Sequence, residues 1–199
     1  MATEYEAKFY PVNKDEVREK LKKSGATLVR PEFLQKRVTF NLPKGYAKRH
    51  TWVRIRDEGN KITMSYKELV GEKIEDQKEL MLVIDNFDTA ATFLTSLGCD
   101  QKSYQENKRE LWSLEGADIS IDEWPFLEPF IEIEGDSEEK VITVARKLGF
   151  DWNLAIFGAT HIMTSMKYGI PEDVLNADIP RIVFDMPNPY LEWLRDHRK

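Results

Sequence analysis

Charged residues in this chain recur at every second position inside short segments that otherwise read as β-strands. Glu4, Glu6 and Lys8 alternate with Tyr5, Ala7 and Phe9. Arg54 and Arg56 alternate with Val53 and Ile55, and Glu132 and Glu134 with Ile131 and Ile133. Thr63, Ser65 and Lys67 stand opposite Ile62, Met64 and Tyr66, and Gln105, Asn107 and Arg109 share a face. Successive side chains on a strand point to opposite sides, so each segment has one charged or polar face and one apolar face. The charges are also segregated by sign. Acids dominate two strands and bases dominate three.

The elements around these strands constrain what the faces pack against. Strands are expected over 3–10, 33–42, 51–57, 61–68, 77–84, 104–114, 118–123 and 129–134, with a hairpin around Glu58-Gly59-Asn60 and a turn at Gly116. A helix opens at Asn13, with Glu16 in capping-box position, and stops at Gly25. A second is expected over 88–97 with Gly98 as its stop, and a third from Ser137 to Gly149. The similar endings of the helices, the first two followed by strand pairs, hint at an internal duplication. Residues 159–168 and 188–197 read as helices in a Pro-punctuated tail.

An ordinary antiparallel sheet buries its apolar face and wets the other. Here helices flank the sheet and need the apolar faces, so the charged faces are expected to turn inward. Closing such a sheet gives a barrel with an ion-lined interior. Like charges crowded in that space need partners. A polyanion and a divalent metal meet both demands, because Arg and Lys bind phosphate oxygens and carboxylates bind hard cations. The expected fold is therefore α+β: a closed antiparallel β-barrel, or tunnel, flanked by helices, with a mainly helical C-terminal extension.

Bulk properties agree with one domain over residues 1–199, with a core at 3–150 and an extension at 151–199. The chain has 199 residues, 41% hydrophobic and 32% charged. No apolar run reaches the roughly 20 residues of a membrane span, and the acidic N-terminus does not read as a signal peptide. The formal net charge of -6 speaks against a nucleic-acid partner. Cys99 is the one cysteine, which excludes an intrachain disulfide and a zinc cluster. A cytoplasmic protein is expected, with no membrane or nucleic-acid partner; a homodimer is left open.

In order along the chain, Glu4-Tyr5-Glu6-Ala7-Lys8, Val53-Arg54-Ile55-Arg56, Met64-Ser65-Tyr66-Lys67, Glu79, Arg109, Asp122 and Phe130-Ile131-Glu132-Ile133-Glu134 form one pattern. It resembles the CYTH superfamily of triphosphate tunnel metalloenzymes, which includes class IV adenylate cyclases, thiamine triphosphatases and inorganic triphosphatases. The resemblance covers about residues 4–150. It implies that Glu4, Glu6, Glu132 and Glu134, with Asp122 nearby, hold Mg or Mn. It implies that Lys8, Arg54, Arg56, Lys67 and Arg109 clamp the phosphates and that Glu79 belongs to the tunnel. Lys8 or Lys67 becomes a candidate general base, provided its pKa is depressed.

The chain departs from the family pattern in places. Arg37 stands where many relatives carry Asp, and adds a phosphate contact. The lysine of the K-x-R strand is replaced by Asn107, so either Asn107 or, through a one-residue bulge, Lys108 faces the tunnel. A His-Phe pair that precedes E-x-E-x-K in class IV cyclases is Met1-Ala2-Thr3 here.

The expected function is divalent-metal-dependent hydrolysis of a triphosphate, whether inorganic, nucleoside or thiamine triphosphate. Cyclisation of ATP to cyclic AMP and pyrophosphate is one alternative, and non-catalytic binding of polyphosphate or a nucleotide is another. Residues outside the constellation receive ordinary readings. His50 and His161 are surface or core histidines, Cys99 is a small buried residue, and Trp112 and Trp124 pack on the outer face.

Overall fold

A computed structural model describes residues 1–46, 50–177 and 179–197. The body runs β1 (Ala2–Phe9), α1 (Lys14–Lys23), β2 (Thr27–Asn41), β3 (Thr51–Asp57), β4 (Ile62–Leu69), β5 (Gln77–Ile84), α2 (Phe87–Ser96), β6 (Asp100–Leu114), β7 (Ala117–Glu123), β8 (Phe130–Gly135) and α3 (Glu138–Lys147). The extension adds α4 (His161–Tyr168), α5 (Glu172–Ala177), β9 (Arg181–Ile182) and α6 (Pro189–His197).

The strands form one antiparallel sheet in the order β2-β3-β4-β5-β1-β8-β7-β6, and pairing of β2 with β6 closes it into a barrel. The order strand, helix, three strands occurs twice, as β1-α1-β2-β3-β4 and β5-α2-β6-β7-β8. The pairings respect the exchange of the two halves, which agrees with the hint of duplication.

Local chemistry explains the helix starts. Asn13 Oδ1 accepts from the amides of Asp15 and Glu16, Asn86 Oδ1 from Thr89, and Ser137 Oγ from Lys140. Each such cap is worth about 1 kcal/mol. Asn86 moves the start of α2 to Phe87. The β6–β7 hairpin turns on Glu115 (φ 53°) and Gly116 (φ 83°). Both central residues are left-handed, as in the tight turn whose twist matches flanking strands, and glycine adopts that region without a steric penalty.

The apolar faces point outward and are covered. Ala7, Phe9, Ile119, Ile131 and Ile133 pack with Val17 and Leu21 of α1 and with Val141, Val144 and Leu148 of α3. Val38, Phe40, Val53 and Ile55 pack with Leu94 of α2, and Cys99 is buried among them as expected. Trp112 lies in the first of these outer cores.

Several boundaries differ from the sequence expectation. β2 starts at Thr27 rather than 33 because the pairing with β6 continues past Pro31. Pro31 and Glu32 bulge out of register between the pairs Arg30–Leu111 and Phe33–Arg109, so the missing proline N–H leaves no gap in the ladder. β6 starts at Asp100, extended by the same pairing.

The extension closes two gaps in the wall. β5 pairs with β1 only at Ala2–Glu4. Beyond that, Lys8 and Ile156 exchange two backbone hydrogen bonds of 2.9 Å each. β9, a strand not expected from the sequence, runs parallel to β6 at Tyr104 and Gln105, past the end of β7. Among the described residues, no helix is long and apolar enough to cross a membrane.

Candidate active site

The register of the barrel carries the charged faces inward as a continuous belt. Glu6 lies opposite Glu134 and Lys8 opposite Glu132. Arg109 lies opposite Asp122, Gln35 opposite Asn107, and Arg37 opposite Arg56. Arg54 faces Ser65, Lys67 faces Glu79, and Glu4 faces Gln77. The belt surrounds a cavity of about 500 Å³. Like charges directly opposite, as in Glu6–Glu134 and Arg37–Arg56, destabilise a sheet. Their presence on the inner face points to a ligand that neutralises them.

Glu6, Glu132 and Glu134 present carboxylate oxygens within 4.8 Å of one another. Lys8 is ion-paired with Glu6, and its Nζ is 3.1 Å from Glu132 Oε2. Burial favours the neutral amine, but Glu6 and Glu132 outweigh it and hold Lys8 above the usual lysine range. A base role for Lys8 demands a depressed pKa, and these two carboxylates act in the opposite direction. Glu132 is also penalised by burial, but Lys8 and Arg109 hold it well below the usual carboxylate range. Glu134 lies at a mouth open to water. Enclosure by the barrel, then Glu132 and Glu6, raise its carboxyl to about 7.

Glu4 stands apart from this trio. It accepts from Gln77 Nε2 at 2.6 Å and lies 2.9 Å from Lys67 Nζ. Burial and then contact with Glu79 push its carboxyl up to about 8. Glu79 responds in the opposite direction. Burial opposes its ionisation, but the hydrogen bond with Glu4 and the charges of Lys67 and Arg54 bring it down to about 2. The pair thus holds one proton, next to Arg54 Nη2, 3.2 Å from Glu79.

Asp122 is fully buried and also lies outside the trio. It takes a two-pronged bond from Arg109, Nε to Oδ1 at 2.9 Å and Nη2 to Oδ2 at 2.7 Å. Ser120 Oγ and Asn107 Nδ2 donate to it as well. Asp122 therefore positions Arg109, whose second contact is Glu132 at 3.1 Å.

The basic side has the opposite imbalance. Arg37 donates to Gln35 Oε1 at 3.0 Å and to Asn107 Oδ1, and its guanidinium lies 4.6 Å from the Trp124 ring centre. Among the described residues it makes no ion pair. Burial, then Arg54, Arg56 and Arg109, push Arg37 well below the usual arginine range. Burial and the same kind of crowding bring Arg56 to about 10, although Glu58 lies 2.8 Å away. The Nε atoms of Arg37, Arg54 and Arg56 and the hydroxyl of Thr63 are buried without a partner among the described residues. Buried donors of this kind are normally satisfied, and the three arginines line the cavity.

The open choice at the K-x-R strand is resolved. Asn107 is fully buried and faces the tunnel, and Lys108 lies on the outer face 3.5 Å from Glu123. The register from Phe33–Arg109 to Thr39–Ser103 is unbroken, so no bulge swaps them. The outer-face reading of Trp124 is overturned. It follows Ser120 and Asp122 at the same two-residue spacing, lines the cavity and covers Arg37. His161 also lines the cavity, with Nε2 3.0 Å from Glu172. Gln35, Gln77 and Glu58 are tunnel residues that charge patterning passed over. Their strand parity was the signal that could have found them.

The sequence matches the CYTH domain family over residues 2–165. No curated protein matches it. Among solved structures, it is similar to a conserved hypothetical protein from Pyrococcus furiosus, with TM-score 0.68 and 24% identity, covering 81% of this chain and 99% of that one. A putative adenylate cyclase from Vibrio parahaemolyticus gives TM-score 0.69 at 13% identity, covering 82% and 98%. A putative adenylyl cyclase from Hippeastrum, described as having a dominant triphosphatase activity, gives 0.56 at 14%, covering 87% and 99%. At these identities the likeness is one of fold.

Proposed function

Since the chain belongs to the CYTH domain family, we propose that it is a divalent-metal-dependent enzyme that hydrolyses a triphosphate inside the barrel. The observation that carries the reading is the split of the tunnel. Three carboxylates meet within 4.8 Å, and the cavity-lining arginines Arg37, Arg54 and Arg56 keep buried N–H groups without partners among the described residues. An anion alone would answer the second feature and a cation alone the first; a metal-bound triphosphate answers both.

The residues present fit the metal that the family implies. Glu6, Glu132 and Glu134 offer oxygen donors, the set that Mg or Mn takes. When bound, such a cation polarises phosphoryl oxygens and offsets their charge. On this reading Glu4 and Asp122 act one step removed, Glu4 by holding Lys67 and Asp122 by orienting Arg109.

Arg37, Arg54, Arg56 and Arg109 bind phosphate oxygens, and Arg109 is pre-aligned by its two bonds to Asp122. Lys67, beside the proton-sharing pair Glu4 and Glu79, adds a further phosphate contact. Lys8 supplies fixed positive charge, and Lys67 remains the candidate base for the attacking water. Phosphoryl transfer depends mostly on positioning and charge stabilisation, which fixed ions in a confined cavity provide. The test is turnover of inorganic triphosphate, ATP or thiamine triphosphate with Mg or Mn. Phosphate release that EDTA abolishes supports the reading; no phosphate from any of them contradicts it.

A further inference from the structure

Asn107 is fully buried and bonds two charged groups at once. Its Oδ1 accepts from Arg37 Nη2, and its Nδ2 donates to Asp122 Oδ1 at 2.7 Å. The register of the barrel explains this reach. Asn107 stands on β6 between the inward residues Gln105 and Arg109. Gln105 pairs with Arg37 of β2 on one side, and Arg109 pairs with Asp122 of β7 on the other. Asn107 is therefore diagonal to both partners, a position from which long side chains still touch.

The two partners dictate what chemistry this position needs. A guanidinium only donates, and an ionised carboxylate only accepts. A carboxylate at 107 would suit Arg37 but lie against Asp122. A lysine would suit Asp122 but lie against Arg37. An aliphatic side chain would leave each of them short of a bond. A neutral amide answers both, with its acceptor turned to one and its donor to the other.

Asp122 anchors the arrangement. Arg109 bonds both of its oxygens, and Ser120 Oγ donates to Oδ2 at 2.8 Å. A carboxylate held from these sides has little freedom, so the Asn107 amide bonded to it is fixed as well, and through it the Arg37 guanidinium. Gln35 Oε1, which accepts from Arg37 at 3.0 Å, and the Trp124 ring, centred 4.6 Å away, complete the hold. All three holders of Arg37 are neutral. They set the direction of the guanidinium without cancelling its charge.

We propose that Asn107 is a positioning residue for triphosphate binding: it carries the fixed geometry of the Asp122–Arg109 pair across to Arg37, so that the two arginines meet the anion as one preset unit. The inference rests on the reading of the belt as a triphosphate site and adds the group that aligns its unpaired arginine. Such preorganisation strengthens binding by removing an ordering cost that would otherwise fall on association.

The experiment is a double-mutant cycle on the full chain. Its readout is calorimetric binding of inorganic triphosphate in EDTA, which keeps metal and turnover out of the measurement. Asn107→Leu is expected to weaken binding about tenfold, in the range of one hydrogen bond to a charged group. In the Arg37→Met background the same change is expected to weaken it by less than about threefold, because members of one network do not act additively. A merely structural role for Asn107 would lower binding by the same factor in both backgrounds, and that result overturns the proposal. So does an Asn107→Leu protein that binds triphosphate as tightly as the unsubstituted chain. No binding to the unsubstituted chain in EDTA overturns the preset anion site, while phosphate release with Mg decides the triphosphatase reading separately. Melting curves establish that each variant is folded. Should Asn107→Leu not fold, Asn107→Ser, too short to span both partners, carries the same expectations.

Discussion

Arg109 and Asp122 face each other across β6 and β7, joined by two parallel hydrogen bonds of 2.9 and 2.7 Å. Asp122 is fully buried, so its charge is tolerated only with that partner. Removing one member of such a pair leaves an uncompensated buried charge, at a cost of about 3–5 kcal/mol. Asp122→Asn is predicted to lower the melting temperature and to reduce kcat more than it weakens metal binding. A melting curve and a metal titration on the same sample check both. Unchanged stability contradicts the positioning role.

Arg37 makes the reverse prediction. It is buried and unpaired among the described residues, and its neighbours Arg54, Arg56 and Arg109 repel it. Its charge therefore costs stability when no anion is present. Arg37→Met is predicted to leave the ligand-free protein as stable or more stable. It is also predicted to weaken triphosphate binding by about 10–100-fold, the worth of about 1.5–3 kcal/mol for a hydrogen bond to a charged group. Calorimetry on both proteins checks the pair of effects.

The metal trio is tested by Glu6→Gln. The substitution keeps the shape of the side chain and removes one charge of the set Glu6, Glu132 and Glu134. Thermal stabilisation by Mg or Mn is predicted to fall sharply. A full metal-dependent shift in the variant would move the metal elsewhere.

The pH dependence follows from Glu134 and Glu4, whose carboxyls are raised to about 7 and about 8. In the unfolded chain both titrate near the ordinary value of 4.5. Between those limits the folded state holds more protons than the unfolded one, so the metal-free protein loses stability as pH rises from about 4.5 to about 8. Below that window both states are protonated and this contribution is constant. A divalent cation competes with the proton at Glu134, so its stabilising effect is predicted to grow with pH over the same range. Melting curves in EDTA and in Mg at several pH values measure both trends.

Much of this arrangement was legible in the sequence because strand parity is a short-range rule. Glu4, Glu6, Lys8, Arg54, Arg56, Lys67, Arg109, Glu132 and Glu134 all face the tunnel as their two-residue spacing implied. What parity does not reveal is the partner across the barrel. Nothing local distinguishes Glu6 from Glu4, yet the closure of β1 against β8 gives Glu6 to the carboxylate trio, and pairing with β5 gives Glu4 to Gln77 and Lys67. The bulge at Pro31 and the early start of β6 depend on β2–β6 pairing over long separation. The two-residue strand β9 has no periodicity to detect, and its placement follows from the unpaired edge of β6.

The central claim is that the barrel binds and cleaves a triphosphate with a divalent metal, and phosphorus NMR on the intact chain tests it most directly. With Mg and a triphosphate, the account predicts that the triphosphate resonances give way to orthophosphate and the matching diphosphate, and that EDTA stops the reaction. Pyrophosphate with cyclic AMP from ATP, or a triphosphate spectrum unchanged in the presence of protein and metal, contradicts it.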